Sequence, residues 1–181
     1  LERLLTHVRQ QHTRLFILIA LYTGARSGAI LELTWDRVDL ETRRIDFGAG
    51  RGLKRRSIVP INDELFDVMV NAFDAANCKW VISHGARRLA SIRHGFRMAV
   101  ADAQLKDVTP HVLRHTAASW MLQAGVPIEE VAAYLGNSKE IVRRVYGHHS
   151  PTYLQGASQA LSRQRGLDNQ SSMNQKNARV S

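Results

Sequence analysis

Residues 109–149 read TPHVLRHTAASWMLQAGVPIEEVAAYLGNSKEIVRRVYGHH, and the spacing of basic and phenolic side chains along them governs the reading of the whole chain. Thr109 suits a helix cap and Pro110 its first position. His111 and Arg114 then fall in the opening turn, where backbone N–H groups without helical partners already favour an anion. Residues three apart on a helix are neighbours, so an imidazole and a planar guanidinium fork can converge on one phosphate from that terminus. Gly125 ends this helix, and Val126-Pro127 restarts the chain. A helix over 128–135 closes at Gly136, and another over 139–145 presents Tyr146, whose phenolic oxygen follows Arg114 by 32 residues.

The order His-x-x-Arg-His-Thr at 111–116, Leu-Gly-x-Ser at 135–138 and a tyrosine nine residues past Asn137 resembles the signature of the tyrosine recombinases, the phage integrase family. That family carries a second arginine in an earlier Thr-Gly-x-Arg motif, and here Thr23-Gly24-Ala25-Arg26 occupies that place. The resemblance covers residues 1–155 as a catalytic domain. Residues 156–181 form a polar tail rich in Gln, Asn and Ser, expected to be flexible. A recombinase of this kind also has an N-terminal DNA-clamping domain, expected upstream of Leu1 in a longer protein.

The expected fold is α+β, mostly helical, with a small three-stranded antiparallel sheet. Leu1, Leu4, Leu5 and Val8 recur at helical spacing, and the apolar run 15–22 continues as a helix stopped at Gly24, so two packed helices deliver Arg26. Residues 30–35 read as a short helix, and 43–47 and 57–61 as strands of a hairpin with Arg51 and Lys54 near its tip. Helices are expected over 63–75 and 87–103, and a third strand over 80–83.

The resemblance implies transesterification at a DNA phosphodiester: a tyrosine oxygen attacks phosphorus, the 5′-hydroxyl leaves, and a covalent 3′-phosphotyrosine keeps the bond for rejoining. Such a site supplies positive charge, hydrogen-bond donors and a proton, with neither metal nor cofactor. Arg26 and Arg114 are the expected clamp on the non-bridging oxygens, since a guanidinium stays charged at any working pH. His111 donates to the same phosphate or takes the tyrosine proton, His115 is assigned to packing and hydrogen bonding, and Tyr146 is the nucleophile. Tyr22 and Tyr134 sit in apolar helical patterns, and Tyr153 lies past the motif. Lys54 is the candidate general acid for the leaving oxygen, with Arg51 the alternative. Two positions depart from the family: Ala29 stands where an acidic residue often follows the first arginine, and Asn137 where the family usually has His or Trp. Asn137 can still donate from its amide, without charge.

Composition agrees with a polyanionic partner. The 181 residues carry 25 Lys and Arg against 16 Asp and Glu, a net charge of +9. The single Cys78 excludes an internal disulfide and a cysteine-based zinc site, which points to an intracellular setting. The longest apolar run is too short to span a bilayer. The expected partner is double-stranded DNA, bound by a chain that is monomeric when free and tetrameric on recombining sites, with accessory bending proteins, in the bacterial cytoplasm. The function expected is site-specific recombination, integrating or excising a phage or other mobile element. Two other readings compete. Residues 128–145 also fit a helix-turn-helix that binds DNA without cutting it, as would a decayed recombinase, but the first leaves Arg26, His111 and Arg114 unused. A metal nuclease is suggested only by eight histidines, and the adjacent His148 and His149 do not face one ligand point.

Overall fold

The computed structural model describes residues 1–49, 57–151, 153–155 and 158–159. A short helix, α1 (Glu2–Thr6), leads into α2 (Gln11–Thr23), in which every residue from Leu15 to Leu21 is buried. A helix apolar on all sides has no solvent face, and α2 accordingly forms the centre of the molecule. Gly24 ends it in the left-handed conformation at φ 59°. The chain turns there through the Thr23 hydroxyl, which accepts from Ala25 N at 3.2 Å. Arg26 is the residue immediately before α3 (Ser27–Leu31).

The sheet is antiparallel in the order β1 (Val38–Asp39), β2 (Arg44–Asp46), β3 (Ile58–Pro60). Ile45 faces Val59 across β2 and β3, and both are wholly buried, whereas Arg44 and Ile58 beside them are exposed. That alternation is the period of two expected of a half-buried strand. The expected hairpin of 43–47 with 57–61 is therefore present, but its third strand is β1 and not residues 80–83. Those residues are instead tied to the loop after α3, by a bridge between Thr34 and Trp80 and by Val81 N donating to Leu33 O at 3.1 Å.

Helix α4 (Asp63–Asp74) starts at Asn62, whose side chain accepts from Leu65 N at 3.2 Å. Beyond it a second hairpin, β4 (Ser83–His84) with β5 (Arg87–Arg88), turns through Gly85 and Ala86 at φ 56° and 60°. Two left-handed central residues make the tight turn that suits strand twist. This corrects the expected helix from residue 87: α5 runs Arg93–Asp102. The expected helix over 30–35 is also corrected, since α3 ends at Leu31 and a 3₁₀ turn spans Trp35–Arg37.

The remaining helices are α6 (Pro110–Gln123), α7 (Ile128–Leu135) and α8 (Lys139–Tyr146). They bury a core of their own, with Ala118, Leu122, Val131, Leu135, Val142 and Tyr146, beside the larger core built on α2, α4, α5 and the sheet. Val142 and Tyr146, four apart, are the buried stripe of α8, whose other residues are the charged Lys139, Glu140, Arg143 and Arg144 and the exposed Ile141 and Val145. The architecture is the expected α+β fold. Arg51, Lys54 and nearly all of the tail from 156 lie outside the described residues. No described helix is long and apolar enough to cross a membrane.

Candidate active site

Three helix ends meet at one place: the C-terminus of α2, the N-terminus of α6 and the C-terminus of α7. Arg114, in the first turns of α6, is only 4% exposed. Its Nη1 donates to Gly24 O and its Nη2 to Leu135 O, the latter at 2.8 Å. Both acceptors are carbonyls at the ends of helices, which lack intrahelical partners and carry the negative end of the helix dipole. A single guanidinium thus joins two C-termini that each end in a left-handed glycine, Gly24 and Gly136. The approach is close enough that a Cβ on Gly24 would come within 2.4 Å of Leu135 Cδ2. Burial and the neighbouring Arg26 charge lower the Arg114 pKa to about 10, partly offset by Tyr146, so the group remains a cation at neutral pH.

Arg26 is exposed, and its Nη2 donates to Asn137 Oδ1 at 2.7 Å. Arg26 and Arg114 line one cleft of about 210 Å3 with Ala29, Phe47, Ser57 and Gly136. Two guanidinium groups at one cleft, with the Arg26 charge acting on that of Arg114, form an electrostatic site for an anion.

On the other side of Arg114, the His111 ring meets His115 edge to face, with centroids 4.4 Å apart, and His115 meets the Tyr146 ring at 5.3 Å. Burial, followed by the charges at His111 and Arg114, pushes the His115 imidazole below its ordinary value. Tyr146 is 5% exposed, and burial raises its phenol pKa while Arg114 opposes the rise. Tyr22 and Tyr134 pack against the core, with the Tyr134 hydroxyl donating to Tyr22 O at 2.8 Å, and Tyr153 is exposed. Thr109 holds the N-cap position of α6 through its carbonyl, which accepts from Val112 N at 3.0 Å, but its side chain makes no capping bond.

The structure therefore gathers Arg26, His111, Arg114, Asn137 and Tyr146 around one corner of the molecule, and Lys54 lies outside the described residues. Sequence reasoning missed the Gly24 and Leu135 carbonyls, since a backbone acceptor has no side-chain signature. It also missed the place of His115 between His111 and Tyr146. Spacing held half of that signal, since His111 and His115 are one turn apart on α6, but the packing of the Tyr146 ring of α8 against His115 is a tertiary contact with no sequence signature. Among the described residues, no three His, Cys, Asp or Glu side chains cluster as metal ligands.

The phage integrase family model matches residues 1–152. The chain belongs to that family. Within it, the integrase of Salmonella phage P22 is 30% identical over 161 residues, covering 80% of this chain and 41% of that protein. The tyrosine recombinase XerC of Roseiflexus castenholzii is 30% identical over 141 residues, covering 70% of this chain and 44% of that protein. The chain spans less than half the length of these two relatives. The catalytic domain of bacteriophage HP1 integrase superposes with a TM-score of 0.67 at 30% identity, covering 87% of this chain and 89% of that domain.

Proposed function

We propose that this integrase-family domain cleaves and rejoins double-stranded DNA in site-specific recombination, integrating or excising a phage or other mobile element. Tyr146 Oη attacks the scissile phosphorus, and the P–O bond to the 5′-oxygen breaks. The 5′-oxygen leaves with a proton from the general acid, for which Lys54 is the candidate, and the tyrosine proton passes to His111. The product is a 3′-phosphotyrosine, and attack by a 5′-hydroxyl reverses the step. Arg26 and Arg114 stabilise the charge that grows on the non-bridging oxygens, a role for preorganised donors in a partly water-excluded cleft. On recombining sites the active assembly is a tetramer.

The single observation that carries this reading is the cleft shared by Arg26 and Arg114, with the buried Tyr146 of α8 close enough to act electrostatically on Arg114. A DNA-binding module that never cuts leaves that pair of cations without a task. The test is a denaturing gel after incubation with nicked duplexes carrying candidate attachment sites. Wild type is expected to give a covalent adduct without added metal and in the presence of a chelator. Tyr146→Phe removes only an oxygen from a buried ring, so it keeps the fold and DNA binding and gives no adduct. An adduct of equal yield in that variant refutes the assignment of Tyr146.

A further inference from the structure

Asn137 lies in the turn between α7 and α8 and meets Arg26 across 111 positions of sequence, its Oδ1 accepting from Nη2 at 2.7 Å. A guanidinium offers donors only, so the amide must turn its carbonyl oxygen toward Arg26 and its NH2 away from it. Arg26 is exposed at the end of a long side chain, and an unrestrained fork there samples many rotamers before it can present two N–H groups in register. Ala29, one turn along α3 and lining the same cleft, has only a methyl group and can hold nothing.

We propose that Asn137 is a positioning residue for Arg26. Its carbonyl oxygen fixes the guanidinium in the cleft, and its amide nitrogen is left to donate to the same phosphate. One neutral side chain reached from α7 thereby does the orienting that α3, with Ala29, does not. The kinetic consequence rests on the phosphodiester chemistry proposed above; the contact does not.

Single-turnover cleavage of a nicked duplex by wild type, Asn137→Ala, Arg26→Lys and the double variant tests this. A side chain that only donates to phosphate acts independently of Arg26, and the two losses multiply. A side chain that holds Arg26 makes them overlap. We expect a loss on the order of 30-fold for Asn137→Ala, about 100-fold for Arg26→Lys, and no more than about 300-fold for both together. Ala29→Glu placed in the Asn137→Ala background puts an acceptor in the cleft beside Arg26 and is expected to recover about fivefold. Independently of DNA, the Arg26 Nε–Hε signal of 15N-labelled protein, assigned by its absence in Arg26→Lys, is expected to lose order in Asn137→Ala. Fully multiplicative losses overturn the proposal, and so does an Arg26 signal equally ordered in both proteins. If Ala29→Glu does not fold, the four-protein cycle decides. A wild type that forms no adduct refutes the proposed function instead, and the NMR comparison then decides the contact.

Discussion

Arg114 and Arg26 carry the same guanidinium, but their surroundings give them different work. Arg114 satisfies two buried carbonyls, Gly24 O and Leu135 O, and is itself buried. A lysine ammonium cannot span both acceptors, so Arg114→Lys leaves at least one unpaired, at a cost of about 1–3 kcal/mol. Arg26 is exposed, and Arg26→Lys is expected to change stability by no more than about 0.5 kcal/mol, as surface substitutions do. Both variants are expected to lose at least about a hundredfold in single-turnover cleavage. Urea unfolding separates them, and an Arg114→Lys protein as stable as wild type would remove its structural role. His12 and His115 supply a pH dependence at the same scale. Burial holds each below the ordinary imidazole value, followed by the charge at His84 for His12 and at His111 for His115. The unfolded chain therefore binds protons first as pH falls. Their contribution to stability is complete above the unfolded pKa of about 6.5 and is lost as pH falls through the lower folded values. The urea midpoint should drop between pH 7 and pH 5, and drop less in His12→Gln; equal slopes for the two proteins would contradict this.

Among the elements, the turn after α2 leaves little latitude. Gly24 has φ 59°, and its missing Cβ leaves room for Leu135 of α7. Gly24→Ala is expected to cost about 1–2 kcal/mol for the left-handed backbone and about 1–3 kcal/mol for the collision, and to weaken the Arg114 bond to Gly24 O. Gly28, four residues on, lies inside α3 with nothing within 4 Å of a built Cβ. Gly28→Ala should stabilise by about 0.4–1 kcal/mol through the unfolded chain. Opposite signs in thermal melts of these two variants are the expected result, and losses of equal size would show that crowding at Leu135 is not the cause. The long helices were legible for a local reason: α2, α6, α7 and α8 each announce themselves by apolar period and a glycine or proline at an end. The β4–β5 hairpin was not, because Ala86 at φ 60° is an uncommon turn residue and Arg87 and Arg88 continue smoothly into a helical pattern.

For the whole molecule, the net charge of +9 sets the expected response to salt. Binding through about five phosphates predicts a log–log slope of about −4 to −5 in affinity against salt concentration, from counterion release. Fluorescence anisotropy with a duplex oligonucleotide between low and physiological salt measures it. A nearly flat slope would show that backbone phosphates do not dominate binding. Because Arg26 and Arg114 are a small part of that charge, substituting either should shift the slope by no more than about one unit while cleavage falls far more.

The amino-acid sequence by itself determined most of the helix pattern, though not the segments 30–35 and 87–92, together with the hairpin of 43–47 with 57–61, the family resemblance and the identity of the candidate residues, because each of these is written in local spacing. Tertiary structure alone decided which strand completes the sheet, since Val38 pairs with Ile45 through backbone groups that any sequence supplies. It alone decided that Arg114 binds Gly24 and Leu135, and that Asn137 meets Arg26, because these contacts join positions 90, 21 and 111 residues apart. Periodicity carries no information at such separations. Their geometry follows from how closely α2 and α7 approach, and that distance is set by the packing of Leu135 against the space Gly24 leaves open.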